Sequence, residues 1–415
     1  MSRIRVRRYQ YNSLPFVAIV NDFDVPVDPY VSCYLHGPLA SKSNNTVVRY
    51  ANELMFALVH FTEKHIDLTS RVASGELISH KEYLEFYDRC CFGKCSTGEV
   101  LILTGHRISG KQLRNITVAN QKNAVVVANE TILGRIRQLR QYINWLFDQF
   151  HDPFVVERTI GLKLKKLTSK IKLDEDGLGS NYSKVTGNPE DTGLPDAVFL
   201  RLLSMVNPAS SHNPFKSSKV RNYLIVSILT QSGIRRGAVA KLKISDLDMW
   251  GTFDQISIYR SINDPTDPRT EKPNQKTKSH KATISTELMM SLKYYIEHIR
   301  AQYPVASHDY IFVSESDTKK TLGHPLSVKS INGIFQKLSR SLGFHVYPHL
   351  LRHKWNETFD KAATIKGIDP ALLEDVRKYA MGWSQNSTMN QIYNDKQLAL
   401  KARELSLIYQ KKVDH

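Results

Sequence analysis

Val47, Ala51, Leu54, Leu58 and Phe61 recur at the spacing of one helical face, and so do Ile132, Ile136, Leu139, Ile143, Leu146 and Phe150. Such stripes predict two amphipathic helices, each with one side turned to a core. Asn129 or Thr131 is placed to cap the second helix, since both side chains can accept from orphan N–H groups of a first turn. The start of the chain has a different period: Ile4 and Val6 alternate with Arg3, Arg5, Arg7 and Arg8, which is a strand pattern. No apolar stretch of the kind found in a signal peptide follows it, so secretion is not expected. An organelle-targeting peptide stays open, although Asp22 and Asp24 come early for one.

Further along, Lys163, Lys165, Lys166, Lys170 and Lys172 give way abruptly to Asp174, Glu175 and Asp176 and then to a run containing Gly, Ser, Asn and Pro through Gly193. The shift predicts a linker over 174–193. It would separate a basic segment (1–40) and a helical unit (41–173) from a second domain (194–397), with a tail over 398–415. In the second half Leu194–Val206 and Val220–Ser232 pattern as helices, Gln255–Tyr259 alternates as a strand, and Ala282–Ser285 predicts another. Helical patterns resume from Thr286, interrupted by turns at Gly323–Pro325, Tyr347–Pro348 and Gly382. The predicted class is mainly α, with one small antiparallel sheet in the second half.

Charge narrows the partner. With 57 Lys plus Arg against 40 Asp plus Glu, the 415-residue chain carries a formal +17, with a pI near 9.5. That balance favours a polyanion, nucleic acid first, over a small neutral ligand. No segment approaches the roughly 20 apolar residues of a transmembrane helix, so no membrane partner is expected. Cys33, Cys90, Cys91 and Cys95 give no disulfide framework and suit a reducing compartment. The cluster at 90–95 lacks a second ligand pair at zinc spacing, so neither metal nor cofactor is expected. Arg135, Arg137 and Arg140 stand off the stripe of the second helix, as either a solvated face or DNA contacts. Lys163, Lys165 and Lys166 next to a joint would suit phosphate contacts, which supply affinity and positioning without reading sequence.

Four short pieces could carry chemistry. Ser232-Gly233-Ile234-Arg235 places an arginine where one helix ends and another opens, a location that favours anions. His349-Leu350-Leu351-Arg352-His353 sets His349 and Arg352 on one helical face. Met381-Gly382-Trp383 ends a helix at a glycine with an indole N–H donor just past it. Gln391-Ile392-Tyr393 follows, with Lys276, Lys278 and Lys281 earlier, between the two strands. Each piece alone is weak. Their order, arginine, strand-borne lysine, His-x-x-Arg, Gly-Trp, Tyr, resembles the tyrosine recombinase (phage integrase) family from Leu194 to about Asp395, with the amino-terminal helices resembling that family's core-binding domain more loosely.

The resemblance implies a site-specific DNA recombinase, acting as a tetramer on specific double-stranded sites and linking DNA to a tyrosine without ATP or metal, with accessory DNA-bending proteins as possible partners. It implies a bacterial, cytoplasmic and nucleoid-associated protein, and integration or excision of a mobile element is the first reading of its task. Arg235 matches the first arginine, with Arg236 as the alternative register. His349 and Arg352 match the His-x-x-Arg box, Trp383 a position that is His or Trp, and Tyr393 the nucleophile. Among the hairpin lysines Lys276 fits best and Lys278 next, while Lys278 and Lys281 are also candidates for DNA contact. The tail from Leu398 to Tyr409 would dock on a neighbouring protomer or pack in cis.

Three departures from the family pattern stand out. The usual acidic residue three after the first arginine is Ala238, Ile284 stands near the usual strand-end proline, and the Trp383–Tyr393 interval is one residue longer than the commonest. The chemistry fits the residue types. Two guanidiniums can clamp a phosphodiester and meet the charge that grows on its non-bridging oxygens. Trp383 can add a neutral hydrogen bond, and a lysine on a hairpin would protonate the departing 5′ oxygen. A phenol titrates near ~10, so Tyr393 needs activation, and His349 either accepts its proton or bonds the phosphate. Rival readings are a non-cleaving DNA-binding protein on this fold, to which Ala238 points, and an RNA-binding protein. Within the same chemistry, a relaxing topoisomerase and a telomere resolvase fit the amino-terminal half less well.

Overall fold

The computed structural model describes residues 4–12, 14–92, 127–152, 155–180, 193–249, 251–261, 264–275, 277–303, 308–317, 320–384 and 387. The chain divides into two compact units, Met1–Val185 and Thr186–His415.

The first unit opens with an antiparallel hairpin of β1 (Arg5–Tyr11) and β2 (Leu14–Val20), registered Arg5 to Val20 and Tyr11 to Leu14. Helices α1 (Pro29–His36), α2 (Asn44–Glu63), α3 (Leu68–Ala73), α4 (His80–Cys91), α5 (Asn129–Phe150) and α6 (Arg158–Ser180) complete it. Both predicted stripes are core. Val47, Ala51, Leu54 and Phe61 are buried with Leu58 against them, and Ile132, Ile136, Leu139, Ile143 and Leu146 are buried with Phe150 packed alongside. Start signals are local: Ser43 accepts from the Thr46 N–H at the head of α2, and Ser79 with Glu82 forms a reciprocal capping box on α4.

Three expectations need correction here. Residues 1–40 are not a separate basic segment, because Val17, Ile19, Val31, Tyr34 and Leu35 enter the same core as α2–α6, and Arg5 and Arg7 both pair with Asp24. The segment 174–180 is helical rather than linker. Lys170 and Lys172 pair with Asp174 and Asp176 at helical spacing, and Glu175 is 2% exposed and bound by two arginines of α5. Finally, α5 begins at Asn129, so Ala128 occupies the cap position and contributes no side-chain bond.

The second unit holds α7 (Asp196–Val206), α8 (Lys219–Ser232), α9 (Arg236–Lys241), α10 (Thr286–Tyr294), α11 (Val328–Leu342), α12 (Pro348–Ile365) and α13 (Pro370–Met381). Its three-stranded antiparallel sheet runs β3 (Leu247–Asp248), β4 (Gln255–Ile258), β5 (His280–Thr283). The predicted second strand is shifted two residues toward the amino terminus and a third short strand joins the edge. One core gathers Leu202, Leu224, Ile228, Ile256, Leu292 and Leu338 from α7, α8, the sheet, α10 and α11. Among the described residues no helix is long and apolar enough to cross a membrane, and no cluster of three metal-ligating side chains occurs.

Candidate active site

The site is assembled where α8 gives way to α9. Gly233 ends α8 in the left-handed conformation (φ 61°), with its N–H bonded to the Leu229 carbonyl. A side chain there would collide, since an added Cβ would lie 2.7 Å from the Met381 Cε and 2.9 Å from the Trp355 ring. Arg235 follows in extended backbone at the head of α9. α12 holds this turn from the other side: the buried Arg352 donates through Nη1 to the Gly233 carbonyl at 2.7 Å, and Trp355 Nε1 donates to the Gln231 carbonyl at 2.8 Å. The arginine of the His-x-x-Arg box thus fixes the turn that presents the other arginine.

Arg235, His349 and Arg352 line one cleft of about 440 Å³. Arg236, the alternative register, also reaches it but donates to Asn332 Oδ1 of α11 at 2.6 Å. His349 sits in the first turn of α12, its ring 4.5 Å from that of His353. Its imidazole is held below its ordinary value, by the surrounding protein first and then by the charges of Arg352, Arg235 and Arg236. Both causes disfavour the protonated imidazole. Ala238, where an acidic residue was expected, lies in the core.

Trp383 is placed by the end of α13. Gly382 caps that helix in the left-handed conformation, and the Trp383 N–H returns to the Lys378 carbonyl at 2.9 Å. The indole is 6% exposed, packs with Met381 and Trp355, and has the Arg352 guanidinium 5.6 Å from its ring centroid. The β5 hairpin is stitched to the same point, because the Lys278 N–H donates to the Gly382 carbonyl at 2.8 Å. Lys281 instead turns to Asp248. Lys276, Tyr393 and the tail from Leu398 lie outside the described residues.

One residue of this neighbourhood was not anticipated. His280 presses against Gly382, where an added Cβ would come within 2.4 Å of its Nδ1, and its imidazole is lowered by burial and then by Arg352 and Arg235. A histidine amid hairpin lysines carries no sequence signal of its own. Only the meeting of hairpin and helix end shows it.

In the first unit the candidate DNA contacts divide. Arg135 lies over the Phe56 ring at 3.8 Å and donates to the Cys90 carbonyl, while Arg137 and Arg140 bind Glu175, Arg140 Nη2 at 3.1 Å. These three have internal partners. Lys163, Lys165 and Lys166 are exposed on α6, and no described residue pairs with them.

The buried histidines give a stability prediction. His60, His280, His308 and His349 are all lowered, burial being the largest cause in each. The unfolded chain takes up these protons near ~6.5, the folded chain only further down. Protons bound preferentially by the unfolded state destabilise the fold, so stability is full above that pH and falls below it. The expected result is a steady drop in melting temperature from pH 7.5 to 5.5 by differential scanning fluorimetry. A flat profile would contradict it.

Residues 197–399 match the family model described as phage integrase family. The second unit therefore carries a phage integrase family domain. Over 134 residues the chain is 25% identical to transposase A of transposon Tn554 from Staphylococcus aureus, covering 32% of this chain and 34% of that protein. It is 21% identical over 273 residues to the tyrosine recombinase XerA of Pyrococcus horikoshii, covering 62% and 81%. The match thus spans only about a third of the length of the transposase relatives. Among solved structures, XerH recombinase bound to difH substrate aligns at TM-score 0.46 and 14% identity over 92% of this chain and 95% of that one. The Tn1549 transposon integrase in complex with transposon right end DNA aligns at 0.42 and 15%, over 81% and 99%.

Proposed function

We propose that the protein is a site-specific DNA recombinase that cleaves and rejoins strands through a covalent 3′-phosphotyrosine link at Tyr393, without ATP or metal. The observation that carries this reading is the convergence of Arg235, His349 and Arg352 on one cleft of the phage integrase domain. A phosphodiester between the two guanidiniums would have its non-bridging oxygens met by permanent planar donors, and the charge that grows there in the pentacoordinate state is stabilised most where water is scarce. Arg352, 2% exposed, meets that condition. Trp383 would add a bond from its indole N–H, and His349 would accept the phenol proton of Tyr393 or bond the phosphate.

For the general acid that protonates the 5′ leaving oxygen, Lys276 is the first candidate and Lys278 the second. The backbone bond of Lys278 to Gly382 anchors it one residue from Trp383, and its side chain is exposed. In the first unit, Lys163, Lys165 and Lys166 would contact backbone phosphates, with Arg135, Arg137 and Arg140 left to hold the unit together. Four protomers on two DNA sites would exchange strands in pairs, with the tail over 398–415 linking neighbours and accessory bending proteins aiding assembly. A transposon's transposase among the relatives supports a mobile element as the DNA that is moved.

The test is a nicked suicide substrate built from the element's ends, incubated with the full chain in EDTA without ATP and resolved on denaturing gels. A covalent adduct that maps to Tyr393 is expected, slowed by about a hundredfold or more in Lys276→Ala, or in Lys278→Ala if the second candidate is the general acid. Retarded DNA with no adduct on verified sites would favour the non-cleaving reading.

A further inference from the structure

α13 is seated against the expectation of its own hydrophobic pattern. Only Arg377 and Met381 of this helix are buried. Leu372, Val376 and Tyr379 recur at helical spacing and are exposed. At ~100° per residue that apolar stripe lies roughly opposite Arg377 and Met381. A helix seated by the hydrophobic effect alone would be rotated to bury the stripe and leave the arginine in water. Some other interaction selects the observed rotation.

The face of α12 that meets it supplies one. Arg352, Asn356 and Asp360 stand at i, i+4 and i+8, so they share one side of that helix, and all three are buried. Arg377, 1% exposed, donates through Nη2 to Asp360 Oδ1. One turn nearer the cleft, Asn356 Nδ2 donates to the Arg352 carbonyl at 2.8 Å and lies 3.9 Å from the Met381 sulfur. A polar seam therefore runs two turns along α12, from the cleft arginine to the ion pair. Met381 also abuts the Gly233 turn that presents Arg235, and Trp383 follows it, with the Arg352 guanidinium 5.6 Å from its ring centroid. The rotation of α13 thus sets where Trp383 stands.

A buried ion pair adds little stability over apolar side chains of similar volume, because both charges lose their water. What it can add is register: an apolar seam accepts several rotations, whereas the charges meet in one. Resting on the recombinase reading above, we propose that Arg377 and Asp360 are positioning residues, whose pair selects the rotation of α13 that sets Trp383 against Arg352 and starts the chain toward Tyr393. Neither acts on the reacting atoms. Their effect passes through the residues that do, and a misplacement of ~1 Å at such a site can cost about a hundredfold in rate.

The decisive variant is Asp360→Leu combined with Arg377→Met, which refills the seam with apolar side chains. Its melting temperature should equal or exceed that of wild type, and its duplex affinity should stay within about twofold. Single-turnover adduct formation at saturating DNA should still fall by at least about tenfold, a loss in the rate constant rather than in binding. Arg377→Lys, which keeps a charged donor opposite Asp360, should recover most of that rate. Seating is read without DNA by ¹⁹F NMR of the full chain labelled with 5-fluorotryptophan, the Trp383 resonance being assigned with Trp383→Phe. One resonance is expected for wild type and Arg377→Lys, and a split or broadened one for the apolar double variant. A wild-type rate in the double variant would overturn the proposal, as would a slow rate with an unchanged Trp383 resonance or no recovery in Arg377→Lys. Should the double variant not fold, Asp360→Asn replaces it, with the same expectations for rate and resonance and the same results against. If wild type itself forms no adduct, the recombinase reading fails separately, and the Trp383 resonance alone decides whether the pair seats α13.

Discussion

Tyr393→Phe is expected to abolish covalent adduct formation, by at least about a thousandfold, while leaving affinity for duplex within about twofold of wild type. The change removes one oxygen and almost no volume. Everything proposed to hold the phosphate, Arg235, Arg352 and the Trp383 indole, is on other elements, and Arg352 is fixed by the Gly233 carbonyl independently of the tyrosine. Ground-state binding should therefore survive, whereas the proposed nucleophile is gone. Loss of a nucleophile cannot be offset by its neighbours, because they act only through the bond it makes. Two measurements separate the outcomes: gel retardation on the intact site, and denaturing gels on the suicide substrate. If the phenylalanine variant still traps DNA covalently, another residue is the nucleophile. If it loses retardation as well, Tyr393 holds the fold rather than the chemistry.

Parts of this site were legible in the sequence because they are local. His349 and Arg352 three residues apart must share a helical face, and Gly382 before Trp383 must end a helix, whatever surrounds them. The stripes of α2 and α5 were legible for the same reason. What escaped was set by contacts between distant segments. The acidic run at 174–176 looks like the start of a linker, yet Glu175 is what Arg137 and Arg140 bind, and this explains both the extra helical turn and why those arginines are poor candidates for DNA. The hydrophobic half of residues 1–40 enters a core whose other walls come from residues up to Ile171. His280 gains meaning only because a backbone bond joins residue 278 to residue 382.

The same reasoning bears on the long connection between β4 and β5, whose Lys278 N–H bonds the Gly382 carbonyl. Composition alone marks it as a polar surface loop, rich in Asp, Pro, Thr, Asn and Lys. Its described residues are instead anchored: Asp267, Arg269, Lys272, Gln275 and Thr277 are all buried, and the Asn274 carbonyl lies where a Cβ on Gly237 would come within 2.9 Å. Buried polar groups of this kind cost stability unless each is satisfied. They are retained here on the connection that leads from β4 to the Lys278–Gly382 backbone bond.

Arg269→Met should accordingly destabilise the second unit by about 3–5 kcal/mol, the usual cost of leaving one partner of a buried ion pair alone. Arg269 donates from Nε and Nη2 to the two carboxylate oxygens of Asp267 at 2.8 and 2.7 Å, and from Nη1 to the carbonyls of Ala240 and Leu326 at 2.8 and 2.7 Å. Its guanidinium also lies 4.7 Å from the Tyr310 ring centroid. Methionine fills much of the space but strands a carboxylate that is 2% exposed and two carbonyls, one at the end of α9 and one just before α11. Combining it with Asp267→Asn removes the stranded charge, so the double variant should be more stable than Arg269→Met alone, the signature of coupling within a pair. Asp248→Asn, which breaks the exposed pair with Lys281 on the same sheet, should cost less than about 1 kcal/mol and serves as the contrast. Urea unfolding of the full chain, followed for the second unit, measures all three. Because the anchored loop carries both candidate lysines, Lys276 and Lys278, Arg269→Met should also slow adduct formation at temperatures where the unit is still folded. A single variant as stable as Asp248→Asn would show that the Arg269–Asp267 pair does not hold the loop.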